Sequence, residues 1–168
     1  MSTYVMSDLH GHYDAYIKML ELIQLSGDDT LYILGDIIDR GPNPVKILLD
    51  LMKRTNVRIL AGNHCHMALE CLPFLMQEIT EESIANAKPD IKNSLADWKY
   101  NGATSTVNEL RKYDRETQQE VLEFISDFEM YEELSINGKE FILVHAGLGN
   151  FSPDRPLWDY ELEELVWV

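Results

Sequence analysis

Basic residues are scarce in this chain. Fourteen Lys and Arg stand against 29 Asp and Glu, a formal charge of −15 over 168 residues. A surface this acidic repels phosphate backbones and anionic headgroups, so neither nucleic acid nor a membrane is expected as a partner. Long apolar runs are also missing, and nothing approaches the ~20 residues needed to span a bilayer. The N-terminus shows no basic segment followed by an apolar one, the mark of a secretory signal. Cysteine is limited to Cys65 and Cys71, six apart on one expected helix. That spacing suits no disulfide, and a reduced, cytoplasmic protein is expected. Neither an internal repeat nor a low-complexity linker breaks the chain, and the length suits a single domain over residues 1–168.

What is present is a regular alternation in the first third. Residues 3–7 and 30–35 ("TLYILG") and 57–62 ("VRILAG") read as strands. Between them, residues 13–25 place Tyr13, Ile17, Leu20 and Ile23 at helical spacing, and residues 43–54 form a helix opened by proline. This β-α-β-α-β order predicts an α/β fold with a parallel sheet covered by helices. Residues 64–128 read as a helical insert, with two helices joined at Asn101-Gly102 and a third over 115–128. A hairpin follows, turning at Asn137-Gly138, a type I′ signal. Residues 151–168 read as loop plus a short acidic helix.

Polar residues cluster where each strand ends: Asp8 and His10 after the first, Asp36, Asp39 and Arg40 after the second, Asn63 and His64 after the third, His145 after the hairpin. Each cluster has an ordinary explanation. Asp8-x-His10 could be a turn, Asp39–Arg40 a surface pair, Asn63 a helix N-cap, and His145 a buried strand end. In an open parallel sheet, however, these strand ends share one edge, where ligands bind. Two carboxylates, two imidazoles and an amide oxygen there make a first shell for one or two divalent ions.

The motifs "SDLHGH", "GDIIDRG", "GNH" and "VHAGL", in this order and spacing, resemble the calcineurin-like metallophosphoesterases. Within them they are most similar to the bacterial and phage-type phosphoprotein phosphatases. "WKYNGATST", residues 98–106, resembles a segment of the helical insert in that branch. The resemblance implies the calcineurin-like α/β sandwich and a two-metal site. Asp8 and His10 would hold one ion, Asp36 would bridge, and Asn63 and His145 would hold the second. His64 would protonate the leaving group, oriented by Asp39, and Arg40, with Asn63, would contact the phosphate. Mn2+ is the ion implied; Fe or Zn2+ also suits such mixed ligands, better than Ca2+ does. The implied activity is hydrolysis of phosphomonoesters, foremost phosphoserine or phosphothreonine in a protein, by water made acidic between the two ions. Alternatives are a dinucleoside tetraphosphatase of the same family, or a weakly catalytic metal- or phosphate-binding fragment. The partner is thus a phosphoprotein or a small phosphoester, and the oligomeric state is left open.

Two departures from the family pattern stand out. Position 65 is Cys where the pattern has Glu, and Cys65 is read as an inert, small hydrophobe. His12 and His66 lie beside the motifs but are not ligands in the pattern. The family also carries, after "LVWV", an Arg that contacts phosphate and a later Gly-His-Thr. Nothing in the 168 residues matches either, so a C-terminally shortened member is expected. Its second metal would keep Asp36, Asn63 and His145, and its sheet would have an open edge.

Overall fold

The structure is a computed structural model that describes residues 2–78, 80–87 and 89–168. Three short strands form a parallel sheet: β1 (Thr3–Met6), β2 (Thr30–Leu34) and β3 (Val57–Leu60), in the order β1-β2-β3. Register is uniform, with Met6 opposite Ile33 and Leu34 opposite Leu60. All three strands therefore end at the same edge. In β2, Leu31, Tyr32 and Ile33 are all buried. Successive strand residues point to opposite faces, so this central strand is covered on both sides. β1 has a single sheet neighbour and stays partly exposed.

The strands are linked by α1 (Tyr13–Ile23) and α2 (Pro44–Leu51), which pack on each other. The apolar face of α1 is centred on Tyr16 and Leu20, with Tyr13, Ile17 and Ile23 at its margins. Tyr16 escapes a reading by apolar spacing because its hydroxyl donates to Asp50 at 2.8 Å, which satisfies its polar end inside the core. The prolyl ring at the first position of α2 suits a helix start.

Asn43, the N-cap of α2, makes no side-chain capping bond. The cap comes from another helix. Buried Glu109 accepts from the backbone N–H of Val45 at 2.8 Å and of Lys46 at 3.3 Å. A carboxylate there also meets the positive end of the helix dipole. Glu109→Ala leaves those donors unpaired, and we expect a loss of about 1–3 kcal/mol of stability in urea unfolding. A loss below a few tenths would exclude this cap as a stabilising contact.

Between β3 and the hairpin run α3 (Asn63–Met76), α4 (Glu81–Ala85), α5 (Ile91–Tyr100), α6 (Thr104–Leu110) and α7 (Arg115–Ser126). The helical insert and the joint near Asn101-Gly102 are as expected. α3 packs on α5 and α7, and α2 on α6 and α7, so one core joins insert and sheet. Trp98, Val121 and Ile125 are insert residues of that core.

The hairpin consists of β4 (Glu132–Ile136) and β5 (Lys139–Leu143). Asn137 and Gly138 both take positive φ, 52° and 73°, as a two-residue I′ turn requires. Glu129, just before it, bonds alongside β3: its N–H donates to Ile59 and its carbonyl accepts from Ala61. That step ties the hairpin to the sheet and brings His145 toward the common edge. A smaller core, around Tyr160, Leu165 and Val166, joins the hairpin to α8 (Leu162–Val166). Arg155 forks onto Glu164 at 2.8 and 2.5 Å there, and that guanidinium holds the Glu164 carboxyl down to about 2. Among the described residues, no helix is long and apolar enough to cross a membrane.

Candidate metal centre

The loops leaving β1 and β2 are stitched together by backbone. His10 N–H donates to Asp36 O, Gly11 to Ile37 O, Gly41 to His10 O and Asn43 to Gly11 O, all at 2.8–2.9 Å. Tight loops of this kind need unusual φ. Asp8, His10, Asp36, Asp39 and Arg40 all have positive φ, from 40° to 71°. They are five of the eight non-glycine residues so found among those described. Left-handed backbone is costly outside glycine and collects at functional sites. The glycines bracketing "GDIIDRG" act differently from each other. Gly35 combines φ +78° with close approach to the Gly62 backbone, whereas Gly41 is needed for close approach alone: a Cβ there would lie 2.1 Å from the His10 carbonyl.

Asp36 is buried at the centre of the cluster. One of its oxygens, Oδ2, is 3.7 Å from His10 Nε2 and 3.9 Å from His64 Nε2. The other, Oδ1, is 3.6 Å from His145 Nε2 and accepts from the His64 backbone N–H at 3.2 Å. Asp8, more exposed, approaches His10 Nε2 at 3.8 Å through Oδ1, while its Oδ2 accepts from the Ser7 hydroxyl.

Two imidazoles are held in one orientation from behind. His10 Nδ1 lies 3.0 Å from Ile38 O, and His145 Nδ1 lies 2.7 Å from Leu34 O. A carbonyl only accepts, so each Nδ1 carries the proton and each Nε2 turns a lone pair toward Asp36. His10 Nε2 is buried without a hydrogen-bond partner. A buried polar atom left so is costly. Ligands about 2.0–2.2 Å from a common ion stand roughly 3–4 Å apart, the spacing found here. His10, Asp36 and His64 place one ligand atom each within 4.8 Å of one another, a buried group that could hold a metal ion.

His64 has other obligations. It is fully buried; its Nδ1–H donates to Asp39 Oδ2 at 2.7 Å, and its Nε2 accepts from Arg40 Nη2 at 3.0 Å. A cation on Nε2 would have to displace Arg40. Asp39 is buried while Arg40 is exposed, and the guanidinium reaches His64 instead of its neighbour. That geometry excludes a simple Asp39–Arg40 surface pair.

Of the expected site residues, the structure brings together Asp8, His10, Asp36, Asp39, Arg40, His64 and His145. Asn63 is half-buried at the first position of α3, with Gly62 rather than Asn63 as the N-cap. Among the described residues, no side-chain hydrogen bond joins its amide to the cluster. His66 lies one helical step on, 3.6 Å from Glu163 and 3.9 Å from Glu70, apart from the cluster. His12 is exposed at the N-cap of α1.

Two residues of the site were not foreseen as such. Trp98 Nε1–H donates to Asp39 Oδ2 at 2.7 Å, and the Thr106 hydroxyl donates to Asp39 Oδ1 at 2.5 Å. The available signal was the "WKYNGATST" stretch, whose Trp and Thr are its two ends.

Cys65 is fully buried beside the cluster. Burial, with the Asp36 and Asp39 charges added, pushes its thiol up to about 12. The thiolate needed for reaction is then absent at neutral pH. We expect Cys65 and Cys71 to resist iodoacetamide in the native protein and to label on unfolding, followed by mass spectrometry. Rapid native labelling of Cys65 would contradict this.

Comparison with known proteins bears on the same residues. A family model described as calcineurin-like phosphoesterase matches residues 1–166. A symmetrical bis(5'-nucleosyl)-tetraphosphatase of Delftia acidovorans is 33% identical over 102 residues, 58% of this chain and 36% of that protein. The chain thus spans about a third of that relative's length. Among solved structures, one assigned as a diadenosine tetraphosphatase superposes with TM-score 0.62 and 19% identity, over 98% of this chain and 61% of the other. A serine/threonine phosphatase from Saccharomyces cerevisiae gives TM-score 0.55 and 15% identity, over 99% and 51%. These likenesses are of fold.

Proposed function

The chain belongs to the calcineurin-like phosphoesterase family, and from that premise we propose that it hydrolyses the phosphoanhydride of a dinucleoside polyphosphate in a metal-dependent reaction. The observation that carries the metal dependence is His10 Nε2: buried, unpartnered and facing Asp8 and Asp36. The substrate class is supported by the sequence likeness to a symmetrical bis(5'-nucleosyl)-tetraphosphatase. That likeness favours the dinucleotide over a phosphoprotein, the substrate the motifs first suggested.

Asp8, His10 and Asp36 would hold one divalent ion, and Asp36, Asn63 and His145 a second. Such ions, Mn2+ in the first instance, neutralise phosphate charge and make water acidic enough to attack near neutral pH. Arg40 presents a planar guanidinium at the mouth of the cluster, a fork matched to phosphate oxygens. In taking a phosphate it would release His64 Nε2, which it now occupies. His64 can then carry a proton at Nε2 and pass it to the departing oxygen, while Asp39 fixes the ring through Nδ1. A departing nucleotide phosphate needs that proton less than a departing serine alkoxide does.

The test is turnover by this chain with Mn2+ on diadenosine tetraphosphate, a phosphoserine peptide and p-nitrophenyl phosphate. The reading expects metal-dependent release of adenosine nucleotide from the first. Hydrolysis of the peptide with none of the dinucleotide would replace this substrate with a phosphoprotein.

A further inference from the structure

The loop that carries Asp39 and Arg40 is gripped from the far side by the insert. Residues 98–106, the end of α5, the joint and the start of α6, touch both residues. Three donors converge on the Asp39 carboxylate: His64 Nδ1 and Trp98 Nε1 on Oδ2, and the Thr106 hydroxyl on Oδ1. The Thr106 oxygen also accepts from the Asp39 backbone N–H at 2.9 Å, so one hydroxyl holds both ends of the residue. Trp98, Thr106 and Asp39 are all nearly or wholly buried. No water competes for these bonds, and a carboxylate so enclosed has one orientation open to it.

Arg40 is held by the joint between the helices. Its backbone N–H donates to Gly102 O at 3.1 Å. Gly102 has φ +106°, and a Cβ there would lie 2.8 Å from Arg40 Cγ and 3.1 Å from Arg40 N. At that φ any side chain is strained, and a Cβ would also press on Arg40, so the joint favours glycine. Trp98, Gly102 and Thr106 thus secure two consecutive residues that both take positive φ.

We propose that residues 98–106 are a positioning element of the site: Trp98 and Thr106 fix Asp39, and through it the His64 ring, while Gly102 fixes Arg40. The inference rests on the reading of His64 as proton donor. Trp98 and Thr106 are positioning residues; neither reaches the phosphate. Their work is to keep the Asp39 oxygen on the Nδ1 side, so that His64 presents Nε2 to the substrate.

The test compares Trp98→Phe, Thr106→Val and Thr106→Ser with His64→Asn in the Mn2+-loaded chain. The readout is turnover of phenyl phosphate, a poor leaving group, against p-nitrophenyl phosphate, a good one. Loss of the hydrogen bonds alone lowers the phenyl rate about tenfold and the nitrophenyl rate by less than about twofold. Thr106→Ser restores the wild-type ratio. Equal losses on both substrates would mean general structural damage and overturn the proposal. Gly102→Ala raises KM on both substrates with the ratio unchanged; an unchanged KM removes Gly102 from the element. The second readout needs no turnover. Nitrogen chemical shifts of the His64 ring at neutral pH report Nδ1–H in the wild type and a mixture of tautomers in Trp98→Phe and Thr106→Val. The wild-type tautomer in both variants overturns the clamp. If His64→Asn leaves the substrate ratio unchanged, it is the proton-donor reading that fails, and the tautomers decide the clamp separately.

Discussion

Asp36→Asn abolishes Mn2+ binding and turnover together. Among the described residues, Asp36 alone faces His10 and His64 through one oxygen and His145 through the other. An amide of the same shape removes the negative charge and replaces one acceptor with a donor. The donor would either bond an imidazole Nε2 lone pair, taking it from the metal, or face the incoming cation, where the contact is repulsive. We expect calorimetry to show no Mn2+ binding at concentrations that saturate the wild type, and turnover to fall to background. The fold should persist, because Asp36 contributes only one backbone-capping bond, from His64 N–H. Retained metal affinity with lost turnover would assign Asp36 to the chemistry rather than to the ions.

His64→Asn separates substrates by leaving group. With phenyl phosphate the rate should fall about 10²–10⁴-fold, the usual contribution of a positioned acid. With p-nitrophenyl phosphate the loss should be far smaller, and with diadenosine tetraphosphate intermediate or small, since the departing group is itself a phosphate. Metal content distinguishes this role from ligation. His64 belongs to the buried triad with His10 and Asp36, but its Nε2 is already bonded to Arg40. If His64 is the proton donor, His64→Asn keeps the wild-type complement of Mn2+. A lost ion, with equal loss of rate on all substrates, would make His64 a ligand instead.

The sheet, the hairpin and the strand-end clusters were legible because each rests on local signals. Apolar runs of five or six residues between turn signals gave β1, β2 and β3. Asn137-Gly138 gave the hairpin turn, and both residues take the positive φ that this turn needs. The convergence of Asp8, His10, Asp36 and His64 followed from one topological rule about parallel strands, while His145 joins them from the separate antiparallel hairpin, through its tie to β3. What was not legible depends on contacts far apart in sequence. Trp98 and Thr106 meet Asp39 across 59 and 67 residues. Glu109 caps α2 from 64 residues away, while Asn43, at the N-cap position, makes no side-chain capping bond. Gly62 rather than Asn63 caps α3, a one-residue shift that local propensity does not resolve. Gly41 is required by the His10 carbonyl pressed against it, which no reading of its own loop would show.

The central proposal is that Asp36 would lie between two ions, with Asp8 and His10 on one side and His145 on the other. Anomalous diffraction from crystals of the Mn2+-loaded protein tests it most directly. The account predicts two manganese peaks about 3.5–4 Å apart, both within bonding distance of the Asp36 carboxylate, with His64 Nε2 bonded to neither. A single peak enclosed by His10, Asp36 and His64, or none at Asp36, would contradict it.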